Sequence, residues 1–298
     1  MSNSASRFAS VLLLAFTTTL ASQAQNKPVD TRPPDTPVQT NLPKDPALNR
    51  KLPTVFIVGD STARNGADLG WGDHLARYFD PKKINVANRA HAGRSSRTFI
   101  NEGSWNNVLA EMKPGDFVLL QWGHNDAGDL GGDKPRGTIK GIGDESQDVP
   151  QITGPLAGKT ETVHTYGWYI RKYIAESKAK GATPMLLSLT VRNVWTKDAN
   201  GVQQVERDMG YDGLLKQLSE NEHVAYIDMA TIEADRLQAA GPEKTALLFP
   251  KDHTHTSAVG ADLNAQSVVI ALEEAKSPLV AFLKTEIPLP TPTPGAAK

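Results

Sequence analysis

Asp252 and His255 stand three residues apart in the segment Phe249-Pro-Lys-Asp-His-Thr-His-Thr-Ser257. In a loop, that offset lets the chain curl so that a carboxylate accepts from imidazole Nδ1–H, which fixes the tautomer and leaves Nε2 facing a nucleophile. The same residues also allow a helix-capping Asp beside surface histidines, or a metal site through His253 and His255. The other five histidines are scattered without a supporting pattern. A hydroxyl for such a pair to activate occurs in Gly59-Asp60-Ser61-Thr62, where the glycine permits a tight turn and Asp60 is suited to bracing it through backbone hydrogen bonds. Two further segments offer donors. Ala92-Gly93-Arg94-Ser95-Ser96 presents a glycine N–H, and Gln121-Trp-Gly-His-Asn125-Asp126 presents a carboxamide. Taken singly, each is weak and reads first as a turn or cap.

These segments follow apolar runs. Thr54–Val58, Ile84–Ala87, Phe117–Gln121, Thr183–Ser188 and Val224–Asp228 are short and aliphatic, without strict alternation, as strands of a parallel sheet covered on both faces should be. Amphipathic stretches around 73–79, 104–112, 162–180, 208–221 and 257–275 predict helices between and after them, the last capped by Thr256 or Ser257. Alternation of this kind predicts an α/β fold, a three-layer αβα sandwich on a parallel sheet of about five strands. Ligands then bind beyond the carboxyl ends of the strands, where the four segments fall. Tyr166, Ile170 and Tyr173 share a helical face and are assigned to the core. The Gly- and Asp-rich stretch 127–159 is too long for an ordinary connection and is expected to wall the cleft.

The ends differ in character. Arg7 followed by the mostly apolar Phe8–Ala21, with Ser22 and Ala24 permitting cleavage, predicts an export signal over 1–24, too short to span a bilayer, which takes about 20 apolar residues. Prolines crowd 25–50, a linker, and 288–298, a disordered tail, leaving one folded domain over 51–287. The chain has no cysteine, which excludes disulfides, thiolate nucleophiles and Cys-ligated metals. A formal charge of −1 argues against nucleic acid as a partner.

The four blocks Gly59-Asp60-Ser61, Gly93, Gly123-His124-Asn125-Asp126 and Asp252 with His255 resemble, in order, those of the SGNH (GDSL-like) hydrolase superfamily. Within it the chain is most similar to rhamnogalacturonan acetylesterases, through those blocks together with Arg136–Glu145 and His164–Tyr173. The resemblance implies a flavodoxin-like fold and secreted or periplasmic, cofactor-free serine hydrolysis of acetyl esters on pectic rhamnogalacturonan. Ser61 is then the nucleophile, His255 the general base and acid, and Asp252 the residue that orients it. The N–H groups of Ser61 and Gly93 and the Asn125 side chain form the oxyanion hole. A monomer free of membrane after signal cleavage is expected, with no metal and an acetylated polysaccharide or oligosaccharide as substrate. Arg94 and Arg97, just past Gly93, are expected to bind a galacturonate carboxylate. An α/β-hydrolase is disfavoured because Gly59-Asp-Ser-Thr-Ala63 lacks the second glycine of the nucleophile elbow. The other readings are an SGNH esterase for xylan, peptidoglycan or short acyl esters, and a non-catalytic carbohydrate-binding module of the same fold, against which the intact Ser61, Asp252 and His255 speak.

Overall fold

The β-branched run Thr54-Val-Phe-Ile-Val-Gly59 forms a strand with all six residues buried, Val55 and Ile57 facing one apolar cluster and Phe56 and Val58 the other. The computed structural model describes residues 47–66 and 68–285, all within one compact unit. The expected export signal, most of the linker and the Pro-rich tail lie outside the described residues. The linker's last residues are tied down, because Asn49 N donates to Asn85 Oδ1 at 2.9 Å and Leu48 packs on the core.

The strands are β1 (Thr54–Gly59), β2 (Asn85–Asn88), β3 (Phe117–Gln121), β4 (Ser146–Pro150), β5 (Thr160–His164), β6 (Thr183–Leu187), β7 (Trp195–Lys197), β8 (Gln203–Val205) and β9 (Ala225–Ile227). Five of them form a parallel sheet in the order β2-β1-β3-β6-β9, while β4-β5 and β7-β8 are separate antiparallel pairs. The helices are α1 (Trp71–His74), α2 (Ser96–Asn101), α3 (Ser104–Glu111), α4 (Tyr166–Ala179), α5 (Asp212–Glu222), α6 (Met229–Ala240), α7 (Pro242–Ala246) and α8 (Ala258–Glu274). Apolar residues of α1 and α8 pack on one face of the sheet, and those of α2, α3, α4 and α5 on the other. Counting only the parallel strands, the order is 2-1-3-4-5, the flavodoxin-like doubly wound arrangement. Its switch point falls between β1 and β3.

One difference from the sequence expectation has a local cause. The helix expected over 162–180 starts at Tyr166, because Thr165 caps it by accepting from Trp168 N at 3.1 Å. The preceding Thr160–His164 alternates exposed and buried residues, and it pairs with Ser146–Pro150 inside the long stretch 127–159. That stretch folds back on the residues after Asn125, with Thr138 N donating to Asp126 O at 2.9 Å. Around 73–79 the helix is only α1, continued by a 3-10 turn over Leu75–Tyr78. The tyrosines Tyr166 and Tyr173, with Ile170, are fully buried in the core.

Candidate active site

β1 ends at Gly59, whose added Cβ would come to 3.0 Å from Gln121 O, so a side chain there would press on β3. Beyond it Asp60 shapes the turn. Its Oδ1 accepts from Thr62 N at 2.8 Å and Thr62 Oγ1 at 2.9 Å, and its carbonyl accepts from Ala63 N and Arg64 N. Ser61, held at the crest of this turn, is 9% exposed. A residue that sequence reasoning passed over locks the turn to the rest of the sheet. Gln121, fully buried at the end of β3, accepts from Trp71 Nε1 at 2.7 Å and Thr62 Oγ1 at 3.1 Å, and donates to Ser188 O at 2.8 Å just past β6. Three strand ends are thereby joined through one amide.

His255 reaches Ser61 from a separate loop. Its loop runs from α7 to α8, which Ser257 caps by accepting from Gly260 N. His255 Nε2 lies 2.9 Å from Ser61 Oγ, and its Nδ1 lies 2.7 Å from Asp252 Oδ2. The other Asp252 oxygen accepts from Thr254 N at 2.7 Å and His255 N at 2.8 Å, so the carboxylate fixes both loop and ring. Burial alone would raise the Asp252 carboxyl, but the bonds from the His255 ring, His255 N–H and Thr254 N–H together hold it well below the usual carboxylate range. His253 is not brought to Ser61. Its carbonyl instead accepts from Asn193 N at 2.8 Å.

The donors come from the ends of β2 and β3. Gly93 has φ +79°, in the left-handed region, and an added Cβ would meet nothing within 4 Å, so backbone conformation rather than space calls for glycine. Among the described residues no acceptor takes the backbone N–H of Gly93 or of Ser61. Asn125 Nδ2 donates to Arg94 O at 2.7 Å, which ties the carboxamide to the Gly93 loop and leaves its second amide hydrogen uncommitted. The loop is secured again where α2 begins. Ser95 forms a capping box with Thr98, Ser96 N and Oγ donate to Asp126 Oδ1, and Tyr173 Oη donates to Ser96 O at 2.8 Å. Two buried carboxyls of these loops give up their protons at higher pH than usual. Burial raises Asp60 to about 6, offset in part by Thr62, and raises Asp126 to about 7, offset in part by Ser96.

Arg97 does not line this site, contrary to the expectation for it. It is 1% exposed, with Nε and Nη2 on Glu161 at 2.9 and 2.8 Å, Nη1 donating to Gly137 O and Nη2 to Leu130 O. Every nitrogen of the guanidinium is engaged, pinning the 127–159 stretch and β5 to α2. Arg94 is likewise engaged, with Nε on Glu102 at 2.6 Å and Nη1 on Ala92 O at 3.0 Å. The sequence shows the two positive charges beside Gly93 but not the distant Glu161 or the helix-end Glu102 that neutralise them. Sequence reasoning also missed Gln121 as a brace, and His124, whose Nε2 shares a 2.9 Å hydrogen bond with Thr190 Oγ1 beyond β6. Its imidazole is pushed down to about 3, first by burial and then by the charges of Arg192 and His255.

Comparison with known proteins gives a consistent picture. Residues 57–263 match the GDSL-like lipase/acylhydrolase family. The chain is 32% identical over 219 residues to the rhamnogalacturonan acetylesterase of Emericella nidulans, covering 74% of this chain and 84% of that protein. It is 31% identical over 234 residues to a Bacillus subtilis protein named as a probable rhamnogalacturonan acetylesterase, YesY, covering 76% and 94%. Among solved structures it is similar to YxiM of Bacillus subtilis, with a TM-score of 0.57 and 26% identity, over 76% of this chain but only 57% of that one.

Proposed function

This chain belongs to the GDSL-like lipase/acylhydrolase family, and from that premise we propose that it is an exported acetylesterase that deacetylates pectic rhamnogalacturonan by a Ser61-His255-Asp252 acyl-enzyme mechanism. The observation that carries the reading is the unbroken relay from Asp252 Oδ2 through His255 to Ser61 Oγ, at 2.7 and 2.9 Å. In the first half-reaction His255 Nε2 takes the Ser61 proton as Oγ attacks the acetyl carbonyl, and Asp252 supports the imidazolium that forms. The oxyanion is met by Ser61 N–H, Gly93 N–H and the free amide hydrogen of Asn125. His255 then gives that proton to the ester oxygen of the sugar, which departs as a hydroxyl and leaves acetyl-Ser61. Water, activated by the same nitrogen, releases acetate and restores the serine.

The acetyl and pectic parts of the proposal are supported by two relatives named as rhamnogalacturonan acetylesterases and matched over most of their length. Export is supported by the apolar stretch Phe8–Ala21 followed by Ser22 and Ala24. The test of the chemistry is acetate release by wild type and Ser61→Ala. The variant should fold and lose turnover by about 10⁴-fold or more, and a Ser61→Ala enzyme with wild-type turnover would sink the mechanism. Side-by-side rates on acetylated rhamnogalacturonan and acetylated xylan test the substrate, with equal or faster release from xylan counting against it. Export predicts that the protein recovered outside the cytoplasm begins at Gln25.

A further inference from the structure

The loop leaving β6 passes between the Asn125 block and the His255 loop, and three of its residues are fastened there. Thr190 shares its hydroxyl with His124, the residue before Asn125. Val191 N donates to Glu233 Oε2 at 2.9 Å. Asn193 N donates to the carbonyl of His253 at 2.8 Å, two residues before the base. Arg192 stands in the middle of this strap, between the fastened Val191 and Asn193. Among the described residues it makes no ion pair within 4 Å, and its shielded Nε has no acceptor. The other arginines near the site are neutralised, Arg64 by Asp73, Arg94 by Glu102 and Arg97 by Glu161.

A guanidinium whose shielded Nε has no acceptor, and on which the Asp60 carboxyl acts only through its charge, leaves a place for an anion beside the reacting centre. The charge reaches the centre. It contributes to lowering His124, after burial, and to offsetting the rise that burial imposes on Asp60. A planar guanidinium fits a carboxylate with two parallel hydrogen bonds. We propose that Arg192 binds the carboxylate of a uronic acid unit adjoining the acetylated sugar and so selects acidic over neutral acetylated glycans. This rests on the pectic acetylesterase reading and gives it the cation that Arg94 and Arg97 do not supply.

The test measures kcat/KM at low ionic strength on acetylated rhamnogalacturonan and on the same polymer with its carboxyl groups reduced to alcohols. A small neutral acetyl ester serves as the control for intact chemistry. Wild type should favour the acidic polymer by about ten- to a hundredfold, the range of a charge-assisted hydrogen-bonded pair. Arg192→Gln should bring that ratio toward one, chiefly through KM, and Arg192→Lys should keep part of it. Because the ratio compares two substrates of one variant, a general loss of activity cancels. A wild type that does not distinguish the two polymers, or an Arg192→Gln enzyme that keeps the full ratio, overturns the assignment while leaving deacetylation of the polymer intact. Hydrolysis of the small ester with no acetate released from either polymer overturns the pectic reading itself, and the Arg192 site with it.

Discussion

Replacing Gln121 by methionine would keep the volume of a fully buried side chain while removing an amide that serves three strand ends. In the wild-type structure Gln121 accepts from Trp71 Nε1 at 2.7 Å and Thr62 Oγ1 at 3.1 Å, and donates to Ser188 O at 2.8 Å. Thr62 keeps its bond to Asp60, but the Trp71 N–H and the Ser188 carbonyl, both on fully buried residues, lose this partner. At about 1–3 kcal/mol for each stranded buried group, the loss is about 2–6 kcal/mol. That is a large share of the roughly 5–15 kcal/mol by which such domains are stable. It corresponds to a Tm lower by roughly 5–20 °C. Urea unfolding followed by tryptophan fluorescence reads the stability, and hydrolysis of a small acetyl ester, well below the variant's Tm, reads the site. Because Thr62 follows Ser61 directly, loosening the amide should also lower kcat by about ten- to a hundredfold, the order of a misplaced reacting group. A stability loss below about 1 kcal/mol with unchanged kcat would refute the role given to Gln121.

Three further outcomes are expected. His255→Ala should lower kcat by about 10⁴-fold or more while His253→Ala keeps most of its turnover, and the reverse in steady-state assays would reverse the assignment. Asn125→Ala should cost about 10²- to 10³-fold in kcat with little change in KM, and a loss confined to KM would remove it from the oxyanion hole. Unfolding free energy should fall as pH rises from 6.5 to 8.5. Burial raises Asp126 to about 7 and Glu233 to about 8, whereas unfolded carboxyls ionise near about 4. The folded chain therefore holds protons that the unfolded chain has lost, and this stabilisation, full below about pH 4, disappears through those two values. His91 and His124, pushed down to about 4 and about 3 chiefly by burial, act in the opposite sense but only below about pH 6.5. Glu233→Gln should flatten the slope in urea melts across that range, and an unaltered slope would exclude Glu233 as its source.

The five sheet strands were legible because buried parallel strands are written as short aliphatic runs, and their ends mark where loops must gather. Ser61, Gly93 and Asn125 follow such ends, so residue type and position together marked them out, whereas the Asp252-His255 pair, expected in another strand-end loop, sits between α7 and α8 and was marked by its three-residue spacing alone. The structure brings Ser61, His255 and Asp252 within hydrogen-bonding distance. Helix α6 escaped notice because Asp228, assigned to the end of a strand, is its cap and accepts from Thr231 N at 3.1 Å. Helix α2 was hidden inside a glycine loop, although Ser95 followed by Thr98 is a readable cap. Charge was least legible. Whether an arginine is available depends on carboxylates far along the chain, such as Glu161 for Arg97, and spacing carries no trace of that pairing.

The same contrast explains how a site can be rigid and yet leave donors idle. Around Ser61 and Gly93 the side chains are heavily committed. Asp60 holds its turn, Gln121 the strand ends, Asp126 the start of α2 and Asn125 the carbonyl of Arg94. The two backbone N–H groups at the centre are left without acceptors among the described residues. Neither N–H is claimed by the protein, so both remain available to an acceptor from outside the chain. Once those loops are fixed, the donors cannot relax toward a local acceptor, and an oxygen gaining negative charge between them is met without reorganisation. Bracing and idleness are thus one arrangement: loosening Gln121 or Asp126 would let the N–H groups find partners, and the site would lose stabilisation of the oxyanion while its serine and histidine were still present.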